Sequence, residues 1–262
     1  MSEDVEIVTV DATNVEKEGF LCYKSKSKTE GYQRKLNWLR ERFQEGMKIK
    51  LLHLRQFEGP RGAFGFIEYT PGEYAWRPVN AKNYLFVHCL WVIGRHKGKG
   101  YASRLLQTCL DDAQKQRKDG VAMVSRSGGG WLAGKRILLA NGFEAVDHAP
   151  FSFNLLVKKL HDAPSPTFPT DWEKRAARHG SGLTIVHSNQ CPYIDALVKA
   201  TLSTAREHGI ECREVEFKSA RDVQLNAPSP YGTYGAVYNG RLLAYYPIGG
   251  RDLLKLINKQ PG

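Results

Sequence analysis

An apolar run, Tyr84 to Ile93 (YLFVHCLWVI), leads into the turn His96-Lys97-Gly98-Lys99-Gly100, and an amphipathic stretch starts at Tyr101. A strand, a glycine turn and a helix in that order make an anion site. Amide hydrogens at a helix start have no intrahelical partner, the helix dipole favours negative charge, and glycine lets a ligand approach the backbone. An ordinary basic turn is the plainer reading of the same residues. The turn lacks the Walker spacing before a Lys-Ser/Thr pair and is not GxGxxG, which argues against ATP and dinucleotides. A second chemical signal is Cys191-Pro192-Tyr193-Ile194, between an expected strand and an expected helix, where the helix dipole would lower the thiol pKa.

The elements that must position these groups follow from periodicity. Strands are expected at Glu6 to Val10, Ile49 to Leu54 and Ala63 to Tyr69. A helix is expected from Tyr32 to Phe43 on the spacing of Tyr32, Leu36, Leu39 and Phe43. After the apolar run comes a helix from Tyr101 to about Lys118, with its stripe at Leu105, Leu106, Cys109, Leu110 and Ala113. A strand Val121 to Ser125, the glycine run Gly128 to Gly130, a helix from Trp131 stopped at Gly142, and strands Phe143 to Val146 and Ser152 to Val157 complete the first part. Residues 161–182 crowd Pro164, Pro166 and Pro169 into six positions and mark a linker. Beyond it the order is strand (Gly182 to His187), helix (Tyr193 to His208), strand (Cys212 to Phe217) and short helix (Ser219 to Leu225). A hairpin about Asn239-Gly240 then joins Ala236 to Tyr238 with Leu242 to Tyr246. The expectation is an α/β protein of two domains, 1–160 and 183–262, joined by a Pro-rich linker at 161–182.

Composition narrows the class. The 262 residues are 42% hydrophobic and 25% charged, which excludes disorder as the dominant state. No stretch reaches 18 consecutive apolar residues and the start is acidic, so a soluble cytoplasmic protein with no membrane partner is expected. Five cysteines, widely spaced and without a CxxC pair, argue against a disulfide framework and against a metal site. The net charge of +11 is uneven: residues 1–160 carry 26 Lys and Arg against 17 Asp and Glu, residues 161–262 carry 12 against 10. Such a field attracts nucleic acid or a polyanionic cofactor, or serves solubility alone. No recognisable nucleic-acid-binding pattern backs the basic run Lys24-Ser25-Lys26-Ser27-Lys28, which argues against nucleic acid.

Residues 92–106, VIGRHKGKGYASRLL, resemble the acetyl-coenzyme A signature of the Gcn5-related N-acetyltransferases (GNAT), Arg/Gln-x-x-Gly-x-Gly/Ala. The motif falls on Lys97-Gly98-Lys99-Gly100-Tyr101-Ala102, with Lys97 in place of Arg or Gln. The resemblance implies the GNAT fold, a mixed central sheet flanked by helices, with acetyl-CoA as cosubstrate. It also implies pyrophosphate binding by the amides of Lys97 through Ala102, with Ser103 next in line, and a pantetheine arm laid along Leu90, Trp91, Val92 and Ile93. The activity implied is acetyl transfer to the amine of a small molecule or peptide by direct attack, and a homodimer is allowed.

An alkyl amine near pKa 10.4 is rarely neutral at pH 7, so a base is wanted. By period two, Phe86, His88, Leu90 and Val92 share a face, so His88 points the same way as the residues before the turn. Its position resembles that of a catalytic histidine in the arylalkylamine branch of the family. Glu68, on the neighbouring strand, is the alternative base; a core histidine and an exposed carboxylate are the plainer readings of the two. The tyrosine that many members use as general acid is here Leu138, and Trp131 stands where an asparagine is frequent. Ser125 and Ser127 are candidates for pantetheine contact. Glu68 to Val79, rich in aromatics and carrying Arg77, suits a substrate with an apolar part and a carboxylate, and equally suits core packing.

Cys191-Pro192-Tyr193-Ile194 resembles the glutaredoxin motif with its second cysteine replaced by Ile194. The element order and Pro228-Ser229-Pro230 resemble the thioredoxin fold, in which a cis-proline faces the active cysteine. A dithiol cycle does not close with one cysteine. The alternative function is therefore a monothiol redox or thiol-sensing protein centred on Cys191, with the first domain as a coenzyme-binding regulator. The pairing of the two domains resembles the YoaP-type acetyltransferases.

Overall fold

Alternating apolar residues in the first 160 positions build one mixed sheet. In the computed structural model, which describes residues 4–127 and 131–259, the chain runs β1 (Val5–Val10), α1 (Val15–Glu18), α2 (Glu30–Gln44), β2 (Lys48–Leu54), β3 (Ala63–Pro71) and β4 (Tyr84–Val92). It continues through α3 (Tyr101–Lys115), β5 (Gly120–Arg126), α4 (Lys135–Ala140), β6 (Glu144–Ala149) and β7 (Phe153–Lys159). The strand order is β1-β2-β3-β4-β5-β7-β6, antiparallel throughout except for the parallel pair β4 and β5. The second part adds α5 (Trp172–Ala177), β8 (Leu183–His187), α6 (Ile194–Glu207), β9 (Cys212–Glu216), α7 (Ala220–Asn226), β10 (Tyr234–Tyr238), β11 (Arg241–Ala244) and α8 (Gly250–Ile257). Its four strands lie in the order β11-β10-β8-β9, with β8 and β9 parallel. Asn239 and Gly240 turn the β10–β11 hairpin with φ of +48° and +72°, the double left-handed step of a type I′ turn.

Helices cover both faces of the large sheet. The stripe Leu105, Leu106, Cys109 and Leu110 of α3 packs with Ile67, Leu85 and Val87 on one face, while Tyr32, Leu36 and Leu39 of α2 pack with Ile49 and Phe66 on the other. The helix expected from Trp131 begins only at Lys135, with Trp131 exposed. The run Gly128 to Gly130 lies outside the described residues. Sequence periodicity does not predict α1, α5 and α8; the first two are short, and α8 sits at the end of the chain where no start signal precedes it. No described helix is long and apolar enough to cross a membrane.

The second sheet is packed onto the first. One apolar cluster holds Phe86 and Val124 of the large sheet together with Ile185 and Tyr234 of the small one and Leu202 of α6. Another joins Trp38 and Trp76 to Val186, Phe217 and Val223. The proline-rich stretch 161–182 is part of this packing: Thr167 bridges Asn80, Phe168 and Trp172 are buried, and Arg175 caps carbonyls at Gln224 and Ala227. All described peptide bonds are trans, so the cis-proline implied for Pro228-Ser229-Pro230 is not found.

The first turn of α2 docks against the loop that carries Cys191, and Gly31 makes the approach close. A Cβ at residue 31 would lie 2.3 Å from the Pro192 carbonyl oxygen, a backbone atom with little room to give. In an unencumbered helix, Gly→Ala stabilises by about 1 kcal/mol, whereas forcing extra bulk into a packed interface costs about 1–3 kcal/mol. Gly31→Ala is therefore expected to lower Tm by a few degrees in a thermal melt, and a raised Tm would show that α2 is not pressed against this loop.

Candidate active site

A β-bulge sets the geometry of the site. Glu68 of β3 pairs with Cys89 of β4, but the next residue, Tyr69, pairs with Val87, so His88 is the extra residue. The bulge changes the parity of the strand. Leu85 and Val87 face α3 before it and Leu90 and Val92 face α3 after it, so the expected common face of Phe86, His88, Leu90 and Val92 does not exist. His88, Cys89, Trp91 and Ile93 instead border a cavity of about 640 Å³ on the opposite side. The strands that frame it diverge: β4 pairs with β5 only from Tyr84 to Val87, although β4 runs on to Val92 and β5 to Arg126.

Five elements and loops deliver polar side chains to this cavity. Lys35 comes from α2, Glu68 from β3, Arg77 from the segment before β4, His88 from the bulge, and Gln190 from the loop after β8. All five are at most 5% exposed. Lys35 Nζ donates to Glu68 Oε2 at 2.5 Å, Gln190 Nε2 donates to Glu68 Oε1 at 3.1 Å, and His88 Nδ1 lies 3.6 Å from that same oxygen. Arg77 donates to the Gln190 Oε1, to Trp76 O at 2.8 Å and, at 3.4 Å, to His88 O. Thr233 Oγ1 also donates to Gln190 Oε1, at 3.2 Å. The Gln190 amide is thereby oriented by chemistry: its oxygen meets a guanidinium and its nitrogen a carboxylate.

These contacts fix the charge states. Burial pushes the Glu68 carboxyl up, but the Lys35 ammonium and the His88 ring outweigh it and hold it down at about 2. Burial pushes His88 down to about 4, with Arg77 and Lys35 adding to the effect and Glu68 only partly opposing it. His88 Nε2 accepts the Trp76 N–H at 2.8 Å, so its lone pair is spent and the proton sits on Nδ1, toward Glu68. In this arrangement His88 has no free lone pair to take a substrate proton. Its ring is neutral, its Nε2 is taken by the Trp76 N–H, and its Nδ1 lies 3.6 Å from Glu68 without a hydrogen bond.

The cofactor turn has the expected openness. Gly98 and Gly100 adopt φ of +78° and +79°, and a Cβ at either would meet no protein atom within 4 Å. Among the described residues, no acceptor takes the main-chain N–H of Gly98, Gly100, Ala102 or Ser103. Lys97 differs from the expectation: its N–H donates to Gly94 O at 3.1 Å, while its ammonium lies 4.3 Å from the centre of the Trp91 ring. Ser125 is buried with its hydroxyl on Ala133 O, and Ser127 N–H bonds Ser152 O. Leu138 is buried in the core under α3 and offers no proton.

Cys191 departs from the sequence expectation. Cys22, Cys89 and Cys191 all border the cavity, which leaves each residue part exposed, yet the surrounding protein dominates their chemistry. Burial raises the Cys191 thiol despite a hydrogen bond from the Tyr193 amide, raises Cys89 to about 12 and raises Cys22 well above its ordinary value. The dipole of α6 does not make Cys191 a thiolate, and a function built on its reactivity has no support. Sequence reading missed Lys35, Gln190 and Tyr231 at this site. Lys35 did leave a signal, a cation next to Leu36 on the apolar stripe of α2; Gln190 left none.

Residues 21–125 match the model of the acetyltransferase (GNAT) family. The uncharacterized N-acetyltransferase YoaP of Bacillus subtilis is 28% identical over 254 residues, 96% of this chain and 98% of YoaP. Among solved structures, a GNAT-family acetyltransferase of Staphylococcus aureus Mu50 is 13% identical, covers 60% of this chain and 99% of its own, and has a TM-score of 0.43. The acetyltransferase YncA of Salmonella typhimurium, solved with acetyl-CoA, is 16% identical, covers 62% and 96%, and also has a TM-score of 0.43. The matched segment holds both the glycine turn and the buried Lys35–Glu68 pair, and with the full-length relative it identifies the chain as an enzyme, an N-acyltransferase.

Proposed function

We propose that the protein transfers an acetyl group from acetyl-CoA to the amine of a small molecule held in the cavity between the two sheets. The observation that carries this reading is the continuity of three features. The open amides of Gly98, Gly100, Ala102 and Ser103 suit a diphosphate, the divergence of β4 from β5 suits an extended arm, and the cavity that begins at Trp91 and Ile93 ends on a buried carboxylate. At about 640 Å³ the cavity has room for a ligand of drug size, which favours a small acceptor over a folded protein.

Bound acetyl-CoA would supply a thioester carbonyl for the neutral amine: the C–N bond forms, the C–S bond breaks, and the proton lost by the nitrogen goes through solvent to the departing CoA thiolate. Glu68, ionised at every working pH and held by Lys35 and Gln190, faces the positive charge that grows on the attacking nitrogen. Its pKa of about 2 makes it a weak proton acceptor, so its contribution is electrostatic. His88 is a positioning residue that lies 3.6 Å from one Glu68 oxygen and, through Nε2, holds the Trp76 backbone. We read the second unit as a thioredoxin-like scaffold used for structure: the alternation β8-α6-β9-α7-β10-β11-α8 supports this, and its former active-site corner now supplies a wall of the acceptor cavity.

Two measurements test the reading. Replacing Gly98 and Gly100 together by Val is expected to weaken CoA binding at least tenfold by calorimetry, because the side chains would stand where the phosphates lie and strain a left-handed backbone by about 1–2 kcal/mol each; unchanged affinity would remove the turn from the site. For catalysis, neither Glu68 nor His88 titrates between pH 5 and 9. kcat/KM is therefore expected to rise with pH in step with the neutral fraction of the amine, and Glu68→Gln to lower kcat by about 10²-fold or more at every pH. An inflection at pH 6–7 that disappears in His88→Gln would restore the histidine as base.

A further inference from the structure

The cavity contains a cation without a counterion. Arg77 is 5% exposed, and among the described residues no carboxylate lies within 4 Å of its guanidinium. Both Nη1 hydrogens are used, on Trp76 O and Gln190 Oε1; Nη2 has only the long contact to His88 O, and Nε has no acceptor among the described residues. Glu68, the one carboxylate among the described residues that lines the cavity, is kept from Arg77 by the Gln190 amide, which bonds both. The lining thus holds two cations, Lys35 and Arg77, against a single anion. A buried guanidinium without a counter-charge is unfavourable, and its one free edge, Nε–H with Nη2–H, matches a planar two-oxygen anion.

We propose that Arg77 receives a carboxylate of the acetyl acceptor, so that the substrate is a small amino acid or an equivalent amino-carboxylate. Gln190 sets the spacing: it holds the anion receptor and the carboxylate that faces the amine on opposite ends of one amide, a separation that suits both groups on one compact molecule. The apolar body of that molecule lies against Phe66, Trp91 and Tyr231; the Tyr231 ring also supports the guanidinium at 5.6 Å.

The proposal rests on the acetyltransferase reading, and the two are separable. Initial rates of CoA release are measured on the full chain for phenylalanine against phenethylamine, leucine against isoamylamine, and O-phosphoethanolamine against ethanolamine, each corrected for its neutral amine fraction. The carboxylate-bearing member of each of the first two pairs is expected to have a kcat/KM at least tenfold higher. The ratio should fall in Arg77→Lys and further in Arg77→Gln, with CoA binding retained as the control for folding. A ratio near one, a ratio untouched in a variant that still binds CoA, or a preference confined to the phosphate pair would overturn the proposal while leaving the acetyltransferase reading intact. Ligand binding to the wild type tests the carboxylate site without turnover and without any variant having to fold. 3-Phenylpropionate should quench tryptophan fluorescence at least tenfold more tightly than 3-phenylpropanamide, and equal affinities would overturn the carboxylate site. Absence of CoA binding in the wild type would instead sink the acetyltransferase reading.

Discussion

The structure depends on a buried chain of polar contacts, Lys35–Glu68–Gln190–Arg77, that crosses from one sheet to the other. Removing charges from water is costly, and such a chain persists only when nearly every donor and acceptor is matched. Here Lys35, His88 and Gln190 together surround Glu68, and the backbone of Trp76 occupies the remaining ring nitrogen of His88. Breaking a buried pair of this kind from one side costs about 3–5 kcal/mol, because the other charge is left uncompensated. The chain therefore does two things at once. It locks the second unit onto the first, and it presents an ionised carboxylate at the floor of a cavity.

The apolar packing makes that arrangement rigid. Two of the three apolar clusters run through both sheets, so the cavity wall contributed by the second unit is held by the same cores that hold β3 and β4. Exposed ion pairs at the same boundary, such as Arg34 with Asp195 and Lys199 with Glu30, contribute little by comparison. The bulge at His88 completes the design of the strand. One extra residue sends Cys89 and Trp91 into the cavity and Leu90 and Val92 into the core under α3, so a single strand serves the core and the site along its whole length.

The loop between β8 and α6 brings Gln190 and Cys191 to the cavity. Cys191 precedes α6, where a helix terminus would favour a thiolate, but the loop is pressed against α2 and the cavity, and burial raises the thiol. The neighbouring residue Gln190 makes the polar contact to the site instead.

Local signals were enough for much of this protein. Period-two and period-3.6 patterns located β2 to β5, α2, α3 and the β10–β11 hairpin, because each of these elements buries one face and the alternation is written in consecutive residues. The glycine turn was equally legible, since only glycine takes its left-handed backbone freely. The direction of His88, the buried state of Glu68, the protonation of Cys191 and the role of Gln190 were not legible. Each is decided by partners remote in the chain: a bulge against β3, a lysine 33 residues from Glu68, and an amide 122 residues from it. Short-range pattern reports which face a residue prefers, whereas charge state and hydrogen-bond roles are set by whichever groups share its low-dielectric surroundings, and only the tertiary structure brings those groups together.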